Sequence, residues 1–160
     1  MVAVPTIIIC GLLVAASSAR IDQERGTGRD DEHTKACSNN TLQGDYGAAV
    51  EGVLLNIPGL PPEAQFRAVV MTHYDGKGTF TQVDHIVFNG TPPTIEWTPG
   101  TGTYKVNADC TGTAHIATGT GGFVNLVFVV VSKGKQINSV VTAPFDGPDR
   151  DVTSVGVKVE

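Results

Sequence analysis

FRAVVMTHYDGKGTFTQVDHIVF, residues 66–88, decides the fold. Two runs rich in β-branched and aromatic residues, 66–74 and 79–88, flank Asp75-Gly76-Lys77-Gly78, whose glycines suit the positive φ of a tight hairpin turn. The stretch therefore reads as two antiparallel strands. In the second run, period-two alternation sets Phe80, Gln82, Asp84, Ile86 and Phe88 on one face. If that face points inward, a polar pair stands in an otherwise apolar interior.

The same pattern continues on both sides of this hairpin. Short β-rich runs at 45–55, 94–98, 102–107, 111–118, 123–131, 135–142 and 151–159 alternate with turn signals, among them 109–112 and 132–135. With the central pair this gives eight or nine strands and no helical period of useful length. Sequential hairpins make an antiparallel meander, and closing it removes the edges that invite aggregation. The expected fold is all-β, an eight-stranded up-and-down barrel, with a two-sheet sandwich as the alternative. Alternation places Tyr104 and Val106 on one face, with Thr103, Lys105 and Asn107 on the other. A lumen with room for a ligand needs small inward residues, for which Ala48, Ala68 and Ala114 are the candidates. In 123–131 the only polar residue is Asn125, so the outer face of this strand needs cover from a second subunit or a folded-back segment, and a homo-oligomer formed through it is expected.

Residues 7–16 form an apolar run of about ten, too short for a bilayer that needs roughly 20, followed by the small residues Ser17-Ser18-Ala19. This reads as a signal peptide over 1–19 and a secreted protein without a stable membrane anchor. Residues 20–36 are mostly charged and carry almost no aliphatic side chains, as expected of a disordered tail or pro-segment. The folded domain is then 37–160. Removing the leader removes Cys10 and leaves Cys37 and Cys110, an even pair that in an exported chain most simply forms a disulfide. In a eukaryotic host, the N-x-T triplets at Asn39 and Asn89 would be glycosylation sites.

A net charge of −5 and an aromatic content of 6% leave no basic or stacking surface for nucleic acid. Nucleophile-elbow, phosphate-loop and dinucleotide motifs are absent, so no cofactor is expected. His73, His85 and His115 fall on three strands at spacings that match no metal motif, so no metal site is expected. The candidate polar groups of a lumen are Asp84, His85, Glu96 and Tyr104. A carboxylate in an apolar lumen has a raised pKa suited to proton transfer, and a tyrosine hydroxyl can donate to a ligand. Asp84 and His85 must face opposite ways. Ligand-lining candidates are Phe80 and Phe88, together with Ile57, Leu60 and Trp97 from two long connections that carry apolar residues a plain hairpin loop does not need.

Three segments, CSNNTLQGDYG (37–47), YDGKGTFTQVD (74–84) and GTGTYKVNADCTGTAHI (100–116), together resemble those of a family of small secreted proteins. That family begins with a C-S-N-x-T-L-x-G-x-Y-G signature and carries a D-G-x-G hairpin and a G-T-Y-x-V-N-x-D-C-T-G segment. The resemblance supports pairing Cys37 with Cys110, which both lie in the recurring segments, and it implies no activity. The stretch at 100–106 is also similar to a strand of the allene oxide cyclases and dirigent proteins. These are eight-stranded, calycin-like barrels that bind an apolar reactive molecule and steer how it closes or couples.

The expected function is binding of a small apolar molecule in the barrel interior. The first alternative is a cofactor-free cyclase or isomerase, which needs only shape, exclusion of water and one positioned acid or donor. The second is a non-enzymatic surface or interaction module whose lumen is filled by its own side chains.

Overall fold

The computed structural model describes residues 36–56, 59, 61–118, 122–142 and 150–160. The leader, the charged segment up to residue 35, and Ile57 and Leu60 lie outside the described residues.

Eight antiparallel strands close into a barrel in sequence order. They are β1 (Gln43–Leu55), β2 (Glu63–Asp75), β3 (Thr79–Phe88), β4 (Thr98–Val106), β5 (Thr111–Thr118), β6 (Phe123–Val131), β7 (Gln136–Thr142) and β8 (Arg150–Lys158). β8 returns to β1 along the register Tyr46↔Lys158 to Leu54↔Arg150, so every strand has a partner on both sides. Gly52 makes this seam: any Cβ there would collide with the backbone of Asp151 and Val152.

The decisive hairpin forms as its residues dictate. Gly76 and Gly78 take φ of +75° and +125°, a region other residues rarely enter. The Asp75 carboxylate accepts the backbone N–H groups of Lys77, Gly78 and Thr79 at 2.8–2.9 Å and the Thr79 hydroxyl at 2.7 Å. These bonds, the Thr79 hydroxyl foremost, hold its pKa well below the usual carboxylate range. The three-residue loop fixes the β2–β3 register at Tyr74↔Phe80 and Val70↔Asp84.

One expected strand is absent. Residues 94–97 are bent rather than extended, and β4 starts only at Thr98, which settles the count at eight. Pro92 and Pro93 have no N–H for a ladder. Pro99 is tolerated because β5 pairs with β4 only from Gly100↔Thr118 onward.

One end of the barrel is plugged. The 3-10 turn Asn39–Thr41 leads into Leu42, which is fully buried beside Tyr46, Phe80, Tyr104, Val106, Phe128, Val130 and Ile137. Cys37 and Cys110 are joined by a disulfide, tying this plug to the β4–β5 turn. The Tyr104 hydroxyl lies 2.9 Å from the Leu42 carbonyl oxygen and 3.1 Å from that of Asn39. The Tyr46 hydroxyl donates to the Gly134 carbonyl. A smaller cluster of Leu54, Ala64 and Val152 sits toward the other end, with Phe66 and Phe88 packed on it.

Candidate functional site: an apolar lumen with one buried acid

Alternation along each strand sends one set of side chains into the barrel, and between the two clusters they leave a cavity of about 560 Å³. Ala48, Ala68 and Gly156 line it where larger residues would fill it. Its walls are otherwise mainly aromatic and aliphatic, with Thr72, Gln82, Asp84, Ser139, Ser154 and Arg150 among the polar members. Tyr74 stands edge-on to Tyr46 and Tyr104 at centroid distances of 5.3 and 5.0 Å, and Phe66 meets Phe88 edge-on at 5.4 Å.

Phe80, Gln82, Asp84, Ile86 and Phe88 all face this cavity, as alternation in β3 required. Asp84 is only 8% exposed. Its Oδ2 accepts from Gln82 Nε2 at 3.2 Å, while its Oδ1 is buried with no hydrogen-bond partner among the described residues. Desolvation pushes its pKa up, opposed by the Gln82 bond. Gly100, opposite Gln82 on β4, leaves room for this pair, since a Cβ there would sit 3.1 Å from Gln82 Cγ.

The other polar candidates are not gathered around Asp84. Tyr104 is buried in the plugged end, with its hydroxyl held by the two carbonyls described above. Burial, with the Asp75 charge second, raises its pKa to about 12. His85 is on the outer wall, with Nδ1 2.7 Å from the Glu96 carbonyl oxygen and its ring 5.8 Å from Trp97. Glu96 and Trp97 are exposed, so this connection lies against the outside of β3, and only its Pro93 reaches the cavity. His73 and His115 are exposed too, paired at 2.7 Å with Asp45 Oδ1 and Asn125 Oδ1. Among the described residues no cluster of three or more His, Cys, Asp or Glu side chains is placed to hold a metal ion.

Alternation within 66–74 and 151–159 would also have placed Thr72, Tyr74 and Ser154 in the lumen. Ser154 is already engaged, its hydroxyl 2.6 Å from that of Ser139. Arg150 lines the cavity as well, from the first residue of β8, one position before the expected strand. Of the two sequons, Asn39 is half-buried, donating to the Lys77 carbonyl at 3.2 Å and accepting from Val106 N–H at 2.8 Å. Asn89 is exposed just beyond β3, its side-chain oxygen accepting from Gln65 N–H at 2.7 Å.

No family model matches the chain, and no curated protein matches it. Among solved structures, a redesigned β-barrel, mFAP1, determined bound to DFHBI, aligns with a TM-score of 0.48 at 14% identity, covering 75% of this chain and 97% of that one. No helix among the described residues is long and apolar enough to cross a membrane.

Proposed function

We propose that this protein binds a small apolar molecule inside its barrel. The observation that carries this reading is the cavity of about 560 Å³ between two packed clusters, a volume within the range of roughly 300–1,000 Å³ that small-molecule sites occupy. A barrel of eight strands is just narrow enough for side chains to fill. Here alanine and glycine stand at mid-height instead.

The leader pattern and the Cys37–Cys110 disulfide support export of the mature domain. In a eukaryotic host Asn89, the more exposed sequon, is the favoured glycan site. Self-association through β6 is favoured by the exposed Val127 and Val129 on its outer face, and light scattering after gel filtration reads it directly.

The test is a titration with N-phenyl-1-naphthylamine, an uncharged dye that brightens in apolar surroundings, alongside mass spectrometry of an organic extract. Saturable one-to-one binding that is lost in Ala48→Phe supports the lumen. Equal binding by the variant removes it.

A second reading follows from Asp84. A buried carboxyl group with a raised pKa at the wall of a mainly apolar cavity is suited to protonate, or deprotonate, a bound molecule during a cofactor-free cyclisation or isomerisation. If that reading holds, Asp84→Asn abolishes turnover of a co-purified substrate while leaving its binding in place.

A further inference from the structure

Asp84 is an acid for which the fold provides half a solvation shell. One carboxyl oxygen is met by a neutral amide, Gln82 Nε2, and the other by nothing among the described residues. Buried polar groups are ordinarily paired, and an orphan costs on the order of 1–3 kcal/mol. The residues next to it in the ladder offer no cation: Val70 lies across on β2 and Thr98 on β4. Among the described residues the charged and titratable groups that line the lumen are Tyr46, Tyr74, Arg150 and Asp84 itself, with Tyr104 buried beneath them. Tyr46, Tyr74 and Tyr104 are desolvated and held above their ordinary pKa, so they stay neutral throughout the range in which a carboxyl titrates. Arg150 enters opposite Leu54, at the end of the barrel away from the plug.

Resting on the lumen reading above, we infer that Asp84 donates a hydrogen bond to the ligand, so that the lumen selects uncharged apolar molecules carrying one acceptor oxygen. Such a ligand is a ketone, ester or ether whose oxygen meets the Asp84 carboxyl at the cavity wall, Oδ1 turning out of its buried position to face it, while its body lies between the Phe66–Phe88 pair and the tyrosine cluster. Filling the cavity deepens the desolvation of the carboxyl and favours its protonated form. A protonated carboxyl then needs one acceptor, which the ligand supplies. Ligand and proton are therefore taken up together, and affinity falls as pH rises.

Two naphthalene probes of nearly equal size test this: 6-propionyl-2-(dimethylamino)naphthalene, which carries a ketone, and its 6-propyl counterpart, which does not. A third carries a 6-(3-ammoniopropyl) group. In the full-length disulfide-bonded protein the ketone is expected to bind about tenfold more tightly than the propyl probe at pH 5, the worth of one hydrogen bond. That preference shrinks by pH 8. Asp84→Leu removes the preference. Asp84→Asn retains a donor but cannot titrate, so it keeps the preference and loses its pH dependence. Equal, pH-independent affinities of ketone and propyl probes overturn the inference and leave the lumen site standing. An ammonium probe that binds best, and better as pH rises, shows Asp84 acting as a carboxylate acceptor and also overturns it. Failure of all three probes, or binding unchanged in Ala48→Phe, removes the lumen site and the inference with it.

Discussion

Replacing Asp84 with leucine should stabilise the protein. The carboxyl is 8% exposed, one oxygen is unpaired, and the only bond to the other is a 3.2 Å contact with a neutral amide. An unsatisfied buried group of this kind costs about 1–3 kcal/mol, and because Asp84 borders the cavity, the extra volume of leucine has space beside it, which limits the overpacking set against that gain. In a domain of this size each kcal/mol moves the Tm by about 3–5 °C. The pH dependence has a definite sign. Because the folded-state pKa is raised, the folded form binds the proton more tightly, and wild-type stability falls as pH rises from the ordinary carboxyl value, roughly 4, through the folded one. The gap between variant and wild type therefore opens across that window and is constant above it. Urea denaturation of both proteins at steps from pH 3.5 to 8 measures it. A variant less stable than wild type by 1 kcal/mol or more, or a gap independent of pH, refutes the reasoning.

Other side chains should behave as structural members. Tyr104→Phe removes the donor shared by the Asn39 and Leu42 carbonyls, so chemical denaturation should show a loss of about 1–3 kcal/mol while probe affinity in the lumen is unchanged. Reducing Cys37–Cys110 opens a loop of 73 residues and should cost about 4 kcal/mol, read as the difference in denaturation midpoint with and without reductant. Asp75 titrates with the opposite sign to Asp84. Its lowered pKa gives stability that is present above the ordinary carboxyl range and lost as pH falls, so Asp75→Asn should melt lower at pH 7 and show a shallower acid limb. Gly112→Ala drives a methyl into the Phe128 ring and should destabilise by about 1–3 kcal/mol, visible as a lower Tm.

The barrel was legible because local chemistry fixes it. Asp75-Gly76-Lys77-Gly78 sets one register, and period-two alternation then puts Phe80 through Phe88 on a single face, Gln82 and Asp84 included. What alternation leaves open is distance across the lumen. Tyr104 and Asp84 both point inward, yet one is locked to the plug and the other faces the cavity, a difference made by Asn39 and Leu42, more than sixty residues before Tyr104 in the chain. The glycines of GTGTY look like flexibility in sequence. Gly102 instead accommodates the Phe80 ring and Gly100 the Gln82 side chain, partners identified only by the β3–β4 register. Trp97 looked ligand-lining because its long connection carries apolar residues, but the bond from His85 to the Glu96 carbonyl holds that connection to the outer wall. Arg150 was overlooked because strand ends are the least defined part of a pattern reading.

The most direct test of an internal ligand site is an isotope-filtered NOE experiment on methyl-labelled protein with N-phenyl-1-naphthylamine bound. Ala48, Ala68, Val70 and Ile86 point into the cavity, while Val83, Val155 and Val157 are exposed on the outer wall. An internal site predicts contacts from the probe to the first group and none to the second. Contacts confined to the outer valines would contradict it.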